Sequence, residues 1–203
     1  MKECDESMIN SIIYNFFEDG TYTDADELID ALLASSRENI CSLISETKQK
    51  DIITYSIPQY SSFEHGTTHM IKYLRMAGDY GPSFLEIGQH YIESGSDKRA
   101  YVKYGENHAK LAEVLGVVEI RKENVRRAYL SELGKALEKR SIEEQKECFV
   151  KLAGSVPMVQ YVIKQGIANS AILEKAMRLY LSESTAKRRR KNTWDMVQKL
   201  RER

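Results

Sequence analysis

The chain has 203 residues, 42% of them hydrophobic and 30% charged, with a formal net charge of zero. That balance is ordinary for a globular chain and leaves room for one large domain or two to three small ones. Eleven glycines and three prolines speak against a long turn-rich all-β architecture, and the apolar runs are far too short to span a bilayer.

The start, "MKECDESMIN", is polar and acidic, so the expectation is a chain without a secretory leader, in the cytoplasm and away from membranes. Cys4, Cys41 and Cys148 are odd in number and widely spaced. They read as reduced thiols rather than a disulfide framework or a zinc cage. The zero net charge hides a segregation. Residues 1–60 carry four basic residues against twelve acidic ones, a balance of −8, and the remainder carries +8. Such asymmetry predicts one end that faces a polyanion and another that faces solvent or a protein partner.

The first sixty residues read as three helices and a short strand. "SMINSIIYNFF" places Met8, Ile9, Ile12, Ile13, Phe16 and Phe17 at helical spacing. "TDADELIDALLAS" opens with Thr23 as N-cap, and "SSRENICSLISETKQK" with Ser35 or Ser36. "DIITYSIP" is β-rich and stops at Pro58. This fits a small acidic winged-helix-like domain over 1–62, followed by a polar linker, "QYSSFEHGTT".

The spacing then predicts a helix over "THMIKYLRMAG", a second after Ser83, and a longer one in "KRAYVKYGENHAKLAEVLGVV". Next come a strand (Val117–Arg121), a turn (Lys122–Asn124), a strand (Arg126–Leu130) and a helix (Ser131–Lys139). A hairpin directly after a helix and a glycine has the outline of a wing, and a central winged-helix domain is expected over 63–140. The last segment, 141–203, is helical. Ser141 with a Glu three residues on forms a capping-box pattern, and "NSAILEKAMRLYL" and "TAKRRRKNTWDMVQKLRER" close the chain.

The run Lys187, Arg188, Arg189, Arg190, Lys191 has several readings: a solvated helix face, a disordered basic tail, a targeting signal, or the first turns of a helix that enters a DNA groove. In a helix-turn-helix frame, Lys175–Leu179 is the first helix, Leu181 is buried inside the turn, and Ser182 or Ser184 caps the second helix. Ser184, Thr185, Lys187, Arg188 and Lys191 then meet DNA. A capped helix N-terminus offers free N–H groups to phosphate, and Arg and Lys one turn later reach phosphates or guanine edges. Trp194, Val197 and Leu200 recur at three-residue spacing and predict a face buried in a core.

The order Ala176, Leu179, Leu181, "SESTAKRRR" resembles bacterial helix-turn-helix wording, with Tyr180 where glycine usually stands. "LGVVEIRKENVRRAYLSELGKALEK", with Leu130, Ser131, Gly134 and Leu137 after the basic hairpin, resembles the ending of a winged helix. Together with "STAKRRRKNTWDMV" it looks like the winged-helix modules that accompany type II restriction-modification proteins. The resemblance covers roughly residues 65–200 and leaves out the first sixty. It implies a mainly α fold of tandem winged-helix and helix-turn-helix units with small β-wings. Its groove-facing helix would carry Lys98, Arg99, Lys103, Tyr104, Asn107 and Lys110, and its wing Arg121, Lys122, Arg126 and Arg127.

No Pro-Asp opens a nuclease site, and the Glu-x-Lys spacings lack a preceding strand with a suitable Asp. His65 and His69 in "HGTTH" have a zinc-compatible spacing but no third ligand nearby. The glycines form no phosphate loop. The expectation is therefore a double-stranded DNA-binding protein of a prokaryotic regulatory or restriction-modification setting, without enzymatic activity, cofactor or metal. Two other readings stand beside it: a helical adaptor that docks a protein partner through its acidic first unit, and a nuclease with an unrecognised site.

Overall fold

The computed structural model describes residues 6–93 and 97–202; Cys4 lies outside them. Its described residues form eleven α-helices and one two-stranded antiparallel sheet, so the chain is mainly helical. It divides into two compact units, residues 1–57 with 147–203, and residues 58–146. The acidic first segment is thus not a domain of its own. It shares a unit with the basic last segment, so the opposite charges separated along the sequence lie within one folded body, and the two units are each close to neutral.

The first unit contains α1 (Glu6–Asp19), α2 (Ala25–Ala34), α3 (Arg37–Glu46), the end of α8 (Ile142–Leu152), α9 (Pro157–Lys164), α10 (Ser170–Met177) and α11 (Glu183–Arg201). The reason the outer segments combine is the amount of apolar surface on α1–α3. Ile13, Phe17, Leu28, Ile29, Leu32, Ile40 and Ile44 are all fully buried. Three short helices cannot cover one another on every side, and α9 and α11 close over α3. Polar ties cross the same seam. The buried Lys151 ammonium donates to the carbonyls of Leu32 (2.8 Å) and Ser35 (2.7 Å) and pairs with Glu147 at 3.1 Å. A cation at the C-terminal end of α2 answers both the free carbonyls and the helix dipole. Arg37 donates to both oxygens of Glu147 (3.1 and 2.6 Å) and to the carbonyl of Lys199 (2.9 Å).

Local readings differ at two places in this unit, and a third settles between Ser35 and Ser36. Asp24, not Thr23, caps α2 by accepting from the Glu27 amide at 2.9 Å. The β-rich "DIITYSIP" forms no strand: it holds a single 3-10 turn at Thr54–Ser56, with Ile53 and Tyr55 exposed and Ile57 buried. β-Propensity needs a partner strand, and among the described residues none pairs with this segment; instead the carbonyls of Thr54 and Ile57 accept from the Arg189 guanidinium. Ser36 caps α3, accepting from the Asn39 amide at 3.1 Å.

The second unit contains α4 (Thr68–Ala77), α5 (Phe84–Tyr91), α6 (Lys98–Val114), β1 (Val118–Lys122), β2 (Arg126–Leu130), α7 (Glu132–Glu138) and the start of α8. The stretch expected to be a linker belongs to this unit: Gly66, Thr67 and Thr68 are buried. α5 and α6 approach until their backbones nearly touch. A Cβ on Gly105 would stand 2.0 Å from the Phe84 carbonyl oxygen, and one on Gly88 would stand 2.0 Å from that of Tyr101. Glycine at both positions is what lets α6 lie in this place.

The hairpin pairs Val118 with Leu130 through to Lys122 with Arg126. The other edge of β2 is tied as well, since the Ala128 amide donates to the Pro82 carbonyl at 3.0 Å. The "Leu-Ser-x-x-Gly" wording after the hairpin has a packing explanation. The Ser131 hydroxyl donates to the Gly116 carbonyl (2.7 Å) and accepts from the Gly134 amide (3.0 Å). Gly134 lies where a Cβ would meet the Val117 carbonyl at 2.1 Å. These residues bind α7 to the base of the hairpin.

Candidate nucleic-acid interface

The basic run lies on α11, which is a folded helix and not a tail. Its buried stripe is Ala186, Thr193, Met196, Val197 and Leu200. Helical phase then sorts the five cations. Arg189 falls on that stripe, three residues after Ala186 and four before Thr193, so its guanidinium turns inward to the 54–57 turn. Burial, and then the neighbouring Arg188 charge, push its pKa below the usual arginine value. Arg190 flanks the stripe and pairs with Glu174 of α10 at 2.6 Å. Ser184, Lys187, Arg188 and Lys191 recur at 0, 3, 4 and 7 on the opposite face and are exposed. Among the described residues, no carboxylate lies within ion-pair distance of Lys187, Arg188 or Lys191.

The turn before α11 takes a different form from the one expected. α10 ends at Met177, and Leu179 lies beyond it, 75% exposed. The amides of Leu179, Tyr180 and Leu181 donate back to Ala176, Met177 and Met177. Helical-type bonds carry the chain round, so Tyr180 needs no positive φ and no glycine is required. Leu181 is buried inside the turn. Ser182 occupies the cap position, although its hydroxyl donates to Thr185 Oγ1 (3.0 Å) rather than accepting from the first helical turn. Trp194 is only half-buried; Thr193 takes the fully buried place beside Met196 and Val197.

In the second unit, α6 buries Gly105, His108, Ala109, Leu111 and Ala112. Arg99, Lys103, Glu106 and Lys110 follow one another along the opposite face. Lys98, Arg99 and Lys103 are exposed, while Tyr104, Asn107 and Lys110 are half-buried. Glu106, which the sequence reading passed over, is the hub of this face. Its carboxylate meets Lys103 Nζ at 2.9 Å, Lys110 Nζ at 2.7 Å and Arg126 Nη1 of β2 at 3.7 Å. Burial pushes this carboxyl up, and the hydrogen bonds from Lys110 and Lys103 pull it further down, to below the ordinary carboxylate value. The i−3 and i+4 spacing of two lysines around one glutamate was the signal for it.

The hairpin cations divide in a similar way. Lys122 at its tip is exposed, with no described carboxylate within ion-pair distance. Arg121 pairs with Glu119 (2.9 Å) and lies over the Tyr129 ring. Arg127 is turned back toward the fold, donating to the Gly81 carbonyl (2.8 Å), lying over the Tyr80 ring and facing Glu86 and Glu123. A groove of about 610 Å³ runs between α5, α6 and the hairpin, lined among others by Lys98, Val102, Glu106, Val125 and Arg126.

Behind α6 all four histidines of the chain gather with three tyrosines. His65 stacks on Tyr91 at 4.4 Å and Tyr104 on His108 at 4.2 Å; His65 Nδ1 lies 2.8 Å from the Tyr104 hydroxyl. His90 stacks on Tyr73 at 4.0 Å. His65 and His69 are neighbours, with ring centroids 5.3 Å apart. Among the described residues no three His, Cys, Asp or Glu side chains come together in a metal-binding arrangement. Cys41 is half-buried and Cys148 buried, and neither is joined in a disulfide; no described helix is long and apolar enough to cross a membrane. Comparison with protein-family models, with curated proteins and with solved structures finds no match to this chain.

Proposed function

We propose that this protein binds double-stranded DNA through the outer face of α11 and through α6 with the hairpin that follows it. In this reading α4–α7 and the hairpin form a winged helix, with α6 as its groove-facing helix and the hairpin as its wing, while α10 and α11 form a helix-turn-helix. The observation that carries it is the one on α11. A packed helix keeps Lys187, Arg188 and Lys191 on its solvent face with no described carboxylate within ion-pair distance, Lys187 acting on Glu174 only from further off, whereas the adjacent Arg189 and Arg190 are committed to internal contacts. Unneutralised cations at fixed spacing on a rigid element are what phosphate contact requires. The exposed Lys98, Arg99 and Lys122 add to this in the second unit. The regulatory or restriction-modification setting rests on the sequence resemblance, and the reading assigns no catalysis.

Titration of a fluorescently labelled duplex by anisotropy tests it. With about five phosphates engaged, log K should fall with log salt at a slope of about −4.5, so affinity drops about 500-fold between about 50 and 200 mM salt. Affinity that is flat across that range would sink the reading.

A further inference from the structure

Glu106 occupies an unexpected place: the middle of the α6 face that the proposed function turns toward a polyanion. A carboxylate there opposes phosphate. It remains 19% exposed, and its partners are surface side chains, whose ion pairs stabilise little. What it does is geometric. It holds Lys103, Lys110 and Arg126 around one point, joining α6 to the hairpin.

Phosphates compete for those same cations. Once Lys103 and Lys110 turn to a DNA backbone, the Glu106 oxygens lose their donors. A carboxylate can only accept, and a desolvated acceptor left unpaired is costly. On the major-groove edge the donors are the amino groups of cytosine (N4) and adenine (N6), and carboxylates pair with the first. We infer that Glu106 is a specificity-determining residue: it positions Lys103, Lys110 and Arg126 in the free protein and accepts from a base amino group, that of cytosine, in the complex. The inference rests on the DNA-binding reading. It adds a way to reject sequences, since a site without that amino group leaves the acid facing phosphate or an acceptor edge.

The test uses the full chain and two variants, Glu106→Gln and Glu106→Ala, with helical content and melting compared first. On mixed-sequence duplex both variants should bind about three- to tenfold tighter, because a negative charge near phosphates is gone. In selection from a randomised duplex pool, the wild type should enrich a motif with one required C·G position. The variants should relax that single position and keep the others. Variants that enrich an unchanged motif, or that bind mixed duplex no tighter, would overturn the inference. So would a wild type that binds duplex but enriches no motif, although DNA binding itself would then stand. A wild type that binds no duplex at all removes both.

Discussion

His108 gives a pH dependence whose size follows from its contacts. The ring is 1% exposed. Its Nδ1 lies 2.8 Å from the Tyr104 carbonyl, which can only accept, so Nδ1 carries the proton. Nε2 is then a bare lone pair, and it accepts from the Ser61 and Ser62 amides at 3.4 Å each. A second proton would set an N–H against two N–H donors, and no acid among the described residues acts on the ring; its titratable neighbours are Tyr104 and His65. Burial pushes His108 down to about 4, against the pull of the Tyr104 carbonyl. In the unfolded chain the group titrates near about 6.5. Above that value neither state binds the proton and nothing is lost. As pH falls below it, the unfolded state takes up a proton that the folded state refuses, and stability declines until about pH 4. By pH about 4.5 the loss amounts to about 2.5 kcal/mol. His108→Gln keeps a donor and an acceptor but does not titrate. Urea unfolding of the second unit should show the wild type losing about 2.5 kcal/mol more than this variant between about pH 7.5 and 4.5. Parallel pH profiles for the two proteins, or a His108 NMR titration near 6.5 in the folded state, would refute the assignment.

Gly105→Ala should destabilise the second unit by about 3 kcal/mol or more, because the new Cβ meets backbone rather than a movable side chain. Denaturant unfolding measures it, and a change under about 1 kcal/mol would mean that α5 and α6 are not packed through their glycines. Deleting residues 1–57 should unfold α9–α11 as well, since it strips Phe17, Leu28, Ile40 and Ile44 from their core. A truncated chain whose half-buried Trp194 keeps its native fluorescence would contradict the shared unit.

What could be read from the chain was local. A cap at Ser35 or Ser36, a helix after Ser83, a helix opening at Ser131 and the hairpin between Val117 and Leu130 depend on neighbours a few residues away; the structure caps α3 with Ser36 and α5 with Ser83, makes Ser131 the cap of α7 rather than its first residue, and holds the hairpin there. The strand expected at 51–58 failed because propensity says nothing of whether a partner strand exists. The union of residues 1–57 with 147–203 had no local mark: Lys151 reaching the end of α2, or Arg37 reaching Glu147, is a contact over more than a hundred residues. Within the basic run, charge alone could not sort Arg189 from Arg188; the phase of the buried stripe does. Trp194 was expected in the core on spacing, and one step of helical phase gave that place to Thr193. Glu106 escaped notice because a search for cations passes over the acid that organises them.

The central claim is that the outer face of α11 meets DNA while its inner face holds the fold. The double variant Arg188→Ala with Lys191→Ala, compared with Arg189→Ala, addresses it most directly through the salt dependence of duplex binding. The double variant should leave stability within about 0.5 kcal/mol and make the log–log salt slope shallower by about 2. Arg189→Ala should cost about 1–3 kcal/mol of stability by freeing the Thr54 and Ile57 carbonyls. A double variant whose duplex affinity and salt slope match the wild type would contradict the account.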